Sequence, residues 1–78
     1  MEGYKERFQE EYEELGIRML KLENILIKHN KGELDFELNC PVELLRHQLD
    51  VMREYFRTLE ERAQIEGINL SFDATEVN

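Results

Sequence analysis

Three polar residues recur at a spacing of seven in the second half of the chain: Gln48, Tyr55 and Arg62. Seven residues make two turns of an α-helix, so the three side chains project from one side of it. Together they could hold a planar anionic ligand, because arginine forks onto phosphate, tyrosine stacks on a base and glutamine hydrogen-bonds a base edge or ribose. They could equally be rim residues of a helix–helix interface, where arginine and tyrosine are enriched. Spacing alone favours the interface.

The first half of the chain predicts one long helix over residues 3–30. Its apolar positions alternate in steps of four and three, the a/d pattern of a packed helix. Asn30 and Gly32 mark the end of this helix. The seam consists of Phe8, Tyr12, Leu15, Met19, Leu22, Leu26 and His29.

A linker over residues 31–40 separates this helix from the next. Leu34, Phe36 and Leu38 alternate with acidic residues there. Alternation with a period of two is typical of an extended segment with one buried face. A short strand and an extended loop across the mouth of the hairpin both fit this pattern.

A second helix is predicted over residues 41–66, with Pro41 at its first position and Gly67 as its stop. Its seam has the same spacing and length as the first and consists of Leu45, Leu49, Met52, Phe56, Leu59 and Ala63. Two equal seams joined by a short linker predict an all-α fold, an antiparallel two-helix hairpin.

Helix two carries a further stripe beside this seam, with the same spacing. Its members are Leu44, Gln48, Val51, Tyr55, Thr58, Arg62 and Ile65. Half of it is apolar, and one hairpin cannot cover both stripes. We therefore expect the hairpins to assemble into a helical-bundle homo-oligomer, a homodimer or homotetramer.

The tail over residues 67–78 begins with an alternation of Ile68, Leu70 and Phe72 and then turns polar. The alternating part could be a strand that pairs with residues 34–38, or an arm laid on a neighbouring subunit. Disorder is expected for the last residues.

Length and composition limit the function. The chain has 78 residues, which is one domain, and a net charge of -8. An acidic surface argues against long nucleic acids and anionic membranes as partners. The single cysteine, Cys40, and a charged N-terminus without a signal peptide suit the cytoplasm. No motif predicts a metal, a cofactor or catalysis, so we do not expect an enzyme.

The two helices resemble a family of small bacteriophage proteins first catalogued from crAss-like phages of gut bacteria. Helix one carries its E-Y-x-x-L…K-L pattern at Glu11, Tyr12, Leu15, Lys21 and Leu22. Helix two carries L-L-x-x-Q-L-x-x-M-x-x-Y-x-x-x-L-x-x-R. The matching residues there are Leu44, Leu45, Gln48, Leu49, Met52, Tyr55, Leu59 and Arg62.

Some similar phage proteins are oligomeric sponges that bind cyclic nucleotides made by antiphage systems without cleaving them. The resemblance implies a cyclic di- or trinucleotide as ligand, in the cytoplasm of an infected bacterium. Gln48, Tyr55 and Arg62 are the implied ligand-binding residues on helix two, with Lys21 and Tyr12 on helix one. Met52 belongs to the same motif and completes the set, although methionine at this spacing is more often a core residue.

Two other functions fit the sequence. A helical interaction module would block a host protein through its exposed face, and an acidic mimic of nucleic acid would occupy a basic DNA-binding protein. The resemblance ranks the nucleotide sponge first, the interaction module second and the mimic third.

Overall fold

The computed structural model describes residues 2–72 and contains two α-helices. Helix α1 spans Glu2–Lys31 and helix α2 spans Val42–Glu66. The helices run antiparallel, since Arg62 contacts Tyr4 at one end and Arg46 contacts Asn30 at the other. Residues 2–72 form no strand. The predicted all-α hairpin is therefore confirmed.

The helix ends are set by proline and glycine. Gly67 has a left-handed φ of 71°, and the N–H of Ile68 donates to the Ala63 carbonyl over 2.8 Å. Such an αL residue closes a helix C-terminus at no steric cost. Pro41 is the N-cap instead of the first helical residue, because its ψ of 141° is extended. Its carbonyl accepts the N–H of Leu44 over 3.1 Å and so starts the helical ladder one residue later than predicted.

Both predicted seams face each other and form the core. The larger cluster lies towards the helix ends remote from the linker, and Leu59 at its centre is 1% exposed. A smaller cluster of Leu22, Leu26 and Leu49 lies near the linker. Met19 and Met52 contact both clusters. The larger cluster consists of Phe8, Tyr12, Leu15, Leu59, Ala63 and Ile68.

One predicted seam residue is not in the core. His29 is exposed in the last turn of α1, where it borders the linker. The linker forms bends, and Phe36 is 54% exposed while Leu34 and Leu38 are half-buried. The segment is therefore a bent loop and not a strand, and Phe36 does not lie on the buried face that the alternation predicted.

Residues 67–72 fold back onto their own hairpin. Ile68 is buried, and Leu70 and Phe72 pack against the larger core cluster. The Gln9 amide binds the backbone of Ser71 twice, donating to its carbonyl over 2.7 Å and accepting its N–H over 3.2 Å. This part of the tail is therefore neither a strand nor an arm on another subunit. The disorder predicted for residues 73–78 lies outside the described residues.

Phe72, at the end of the described tail, packs against Gly16. A Cβ at this position would lie 2.7 Å from Cζ of Phe72, closer than a van der Waals contact allows. A glycine inside a helix costs about 1 kcal/mol relative to alanine. Here the missing side chain lets an aromatic ring rest on the backbone of α1.

The tail makes the two broad sides of the hairpin unequal. It contacts α1 at Gln9 and Gly16, roughly 120–160° around the helix axis from Tyr4 and Glu11. We call the side under the tail the tail face, and the opposite side, with Tyr4 and Glu11, the open face. Neither described helix has the length and apolarity needed to cross a membrane.

Candidate functional site

The structure places Gln48, Tyr55 and Arg62, the polar residues spaced seven apart, on the exposed surface of α2. Tyr55 and Arg62 lie beside α1 on the open face, where they contact Glu11 and Tyr4 respectively. These two partners are also seven residues apart. Matching heptad positions on antiparallel helices therefore bring four polar side chains to one side of the hairpin.

Arg62 is the best-anchored cation of this face. Its Nε donates to the Glu66 carboxylate over 3.0 Å and its Nη2 donates to the Tyr4 hydroxyl over 2.8 Å. The Tyr4 hydroxyl in turn donates to Glu66. The guanidinium carbon lies 4.8 Å from the centre of the Phe8 ring, within the range of a cation–π contact. Contacts from both helices thus fix the guanidinium while half of the side chain remains exposed.

These contacts also set the protonation states. The hydrogen bond from Tyr4, followed by that from Arg62, lowers the pKa of Glu66. The hydrogen bond to Glu66 raises the pKa of both Arg62 and Tyr4. Glu66 is therefore a carboxylate that already compensates the charge of Arg62. Any other anion that takes the Nε donor of Arg62 has to displace Glu66.

Tyr55 and Gln48 have simpler surroundings. The Tyr55 hydroxyl donates to the Glu11 carboxylate, and the side chain is 43% exposed. The Gln48 amide lies 4.0 Å from the sulfur of Met52. Gln48 is exposed, whereas Met52 is half-buried between the core clusters. Met52 therefore contributes to packing, and Gln48 lies on the surface above it.

Tyr12 lies in the core. It is 6% exposed, its ring stacks on Phe56 with centroids 4.3 Å apart, and its hydroxyl donates to Glu60 over 2.7 Å. Burial, with the bond to Glu60 as the second cause, raises the pKa of Tyr12 to about 12. The residue remains neutral at physiological pH and joins the two helices.

Lys21 is exposed on α1. It lies about 25 Å along the helix from Tyr4, at a rise of 1.5 Å per residue, and Tyr4 is the residue that contacts Arg62. Within one chain the six predicted residues do not converge. Tyr55 and Arg62 share the open face with Gln48 nearby on the same helix, whereas Tyr12 and Met52 line the core and Lys21 lies on the exposed surface of α1.

Sequence reasoning missed the partners that hold this face together: Tyr4, Glu11 and Glu66. A signal for two of them was present, because Tyr4 and Glu11 repeat on α1 the spacing of Tyr55 and Arg62 on α2. Glu66 follows Arg62 by four residues, the spacing of an ion pair along one helix.

Concave regions lie elsewhere on the hairpin. A cavity of about 170 Å³ on the tail face is lined mainly by apolar side chains, among them Phe56 and Phe72. It is smaller than the few hundred Å³ of a typical small-molecule site. A wider, open hollow of about 530 Å³ lies under the linker beside His29 and Phe36. Neither region includes Gln48, Tyr55 or Arg62.

A metal centre has no counterpart in the described residues. No group of three or more His, Cys, Asp or Glu side chains among residues 2–72 is arranged to hold an ion.

Comparison with known protein families identifies the family to which this chain belongs. A family model described as Sequestin matches residues 2–65, which include both helices up to the last residue of α2 but one. The chain belongs to the Sequestin family. Within this Sequestin-family protein, the match includes all six predicted ligand-binding residues and ends just before Glu66 and the tail. Comparisons with curated proteins and with solved structures found no significant match.

Proposed function

We propose that this Sequestin-family protein binds a cyclic nucleotide signal and withholds it from its receptor without cleaving it. The family match over residues 2–65 carries the proposal, because the family name denotes sequestration. In the proposed setting the protein is encoded by a phage and lowers the free concentration of an antiphage signal in the bacterial cytoplasm.

Arg62 and Tyr55 are the proposed contacts on the open face. A phosphate offers two oxygens to the fork of Arg62, and a nucleobase offers a flat surface to the exposed ring of Tyr55. The guanidinium is already oriented by Phe8 and Tyr4, so little side-chain freedom is lost on binding.

Glu66 is the competitor of an anionic ligand at this site. Exposed ion pairs four residues apart contribute little to stability, so a phosphate can replace the Glu66 carboxylate at small cost. The Tyr4 hydroxyl, which now donates to Glu66, would then be available to the phosphate. Arg62 and Tyr4, which both bind Glu66 in the free protein, would then form the anion site.

A thermal-shift series tests the proposal. Cyclic dinucleotides, cyclic trinucleotides and ADP-ribose-derived signals are each added to the protein. A ligand at about 100 times its Kd stabilises the folded state by roughly 2.7 kcal/mol, which raises Tm clearly. Arg62→Gln should abolish the shift. Arg57→Gln is the matched control, because it removes the same charge from an exposed position elsewhere on α2.

Sequestration also requires that the ligand is recovered intact. After incubation the protein is denatured by heat, and the released nucleotide is compared with the input by chromatography. A cleaved product would contradict the proposal. If no nucleotide shifts Tm, the interaction module becomes the better explanation, and capture of a host protein on immobilised protein is the next measurement.

A further inference from the structure

We propose that the groove between α1 and α2 on the tail face, from Phe72 towards the linker, is the binding site for residues 73–78 of the same chain. The inference does not depend on the proposed ligand, because Tyr55 and Arg62 lie on the opposite, open face. It rests on the direction of the tail, on the cavity at its end and on the distribution of charge along the hairpin.

The described part of the tail runs from the open end of the hairpin towards the linker. It leaves α2 at Gly67, its Ser71 backbone binds the side chain of Gln9, and the Phe72 ring lies on Gly16. Residues spaced seven apart share one side of a helix, so the tail follows a nearly straight row along α1. This row consists of Gln9, Gly16, Glu23 and Asn30.

A cavity begins where the described tail ends. The Phe72 ring forms one of its walls, and its volume is about 170 Å³. An apolar cavity of about 150 Å³ holds a molecule as large as benzene, so this one has room for an aliphatic side chain. The walls nearer the linker are formed by Met19, Leu20, Glu23, Leu49 and Arg53.

Residues 73–78 are long enough to cross this cavity and follow α1 beyond it. Six extended residues span about 20 Å. Ile27 lies about 17 Å beyond Gly16 along α1 and within about 20° of the same side. It is 44% exposed. The segment contains two apolar residues, Ala74 and Val77, which can cover the apolar surface between the cavity and Ile27.

Charge is distributed along the hairpin so that it favours this path. The helical segments nearer the linker, residues 18–31 and 42–57, contain seven basic and four acidic residues. The half at the open end, residues 2–17 and 58–72, contains three basic and nine acidic residues. Residues 73–78 contain two acidic residues and no basic one. The path therefore leads an acidic segment from the acidic half of the protein into its basic half.

Two arginines of α2 border the groove. Arg53 donates from Nη2 to the Glu23 carboxylate over 2.8 Å, whereas Arg46 donates from Nη2 to the neutral amide oxygen of Asn30 over 2.7 Å. Among residues 2–72, Arg46 forms no ion pair. Its charge is thus available to an acidic side chain of residues 73–78. Exposed ion pairs contribute little one at a time, so the apolar contacts of the cavity supply the rest of the binding.

Paramagnetic relaxation enhancement in the full chain tests the path. In a Cys40→Ser background, a nitroxide is attached at Asn78→Cys, and the loss of amide signal intensity is measured along both helices. Binding in the groove predicts the strongest loss at residues 20–31 and 46–53, around Ile27 and Arg46. A loss centred instead on the surroundings of Phe72, or spread evenly over the tail face and the open face, would overturn the inference.

A pair of charge variants tests what holds the segment. Arg46→Gln combined with Arg53→Gln should shift the signal loss from residues 20–31 back towards Phe72, because the cations beside the groove are removed. The matched control is Lys5→Gln combined with Arg7→Gln, which removes the same charge from exposed positions at the open end of α1. Circular dichroism checks that both variants keep their helices. An unchanged pattern in the arginine variant, or the same change in both variants, would contradict the proposed role of charge in this site.

Discussion

The hydroxyl of Tyr12 donates a 2.7 Å hydrogen bond to the carboxylate of Glu60 on the opposite helix. The chain has three tyrosines, and the other two make the same kind of contact: Tyr4 donates to Glu66 and Tyr55 to Glu11. Each bond links α1 with α2. The Tyr12 ring belongs to the apolar seam, whereas the Tyr4 and Tyr55 rings are exposed. All three hydroxyls join the two helices, so the tyrosines hold the hairpin in register.

Tyr12 should make the protein sensitive to alkali. Its pKa is about 12 in the folded state and near 10 when unfolded, so the folded state holds the proton more tightly. The stabilisation is complete below pH 10 and is lost as the pH rises towards 12. The expected loss is roughly 2–3 kcal/mol, at about 1.4 kcal/mol per pKa unit. Urea unfolding at pH 8, 10 and 11 measures the free energy of unfolding, which should fall less with rising pH for Tyr12→Phe than for wild type. An equal fall in both proteins would contradict the raised pKa of Tyr12.

Gly16 and Phe72 should be energetically coupled. In a Phe72→Ala background, Gly16→Ala should stabilise by about 1 kcal/mol, because alanine is the better helix former and the ring atoms nearest to its methyl group are removed. In the wild-type background the methyl group would lie 2.7 Å from the Phe72 ring, so the gain should be reduced or reversed. A double-mutant cycle by urea unfolding measures this coupling. Additive effects would show that the ring does not rest on Gly16 in solution.

Leu59 should be the most sensitive position of the core. It is 1% exposed at the centre of the larger cluster, so Leu59→Ala should cost about 2–5 kcal/mol through lost transfer energy and the cavity left behind. Ile27→Ala should cost far less, since Ile27 is 44% exposed. Urea unfolding at low temperature compares the two. Similar losses of unfolding free energy in both variants would show that Leu59 is not at the centre of the core.

Glu66→Gln should increase the affinity for an anionic nucleotide. The carboxylate binds Arg62 and competes with a phosphate, whereas the amide carries no charge. Calorimetric titration should give a Kd several-fold lower than that of wild type. Glu61→Gln controls for the change of net charge, because Glu61 makes no contact with Arg62 within hydrogen-bond distance in the described residues. A gain of equal size in both variants would point to net charge alone.

The sequence by itself determined the hairpin. Apolar residues spaced at three and four fix which side of each helix is buried, and Gly67 fixes where α2 ends, because these are local consequences of helix geometry. The family resemblance also came from residues within the two helices. Two seams of equal length joined by a short linker were enough to predict that the helices run antiparallel.

The tertiary structure decided which polar residues meet. Tyr12 satisfied a helical pattern equally as a ligand contact and as a core residue, and only packing against Phe56 and Glu60 distinguishes them. Arg62 and Tyr4 are 58 positions apart in the chain, and their contact depends on the register of the two helices. The tail could not be assigned from its alternating residues, because that pattern requires one buried face but does not say what buries it. The structure shows that α1 buries it, because Gly16 has no side chain and Phe72 packs there.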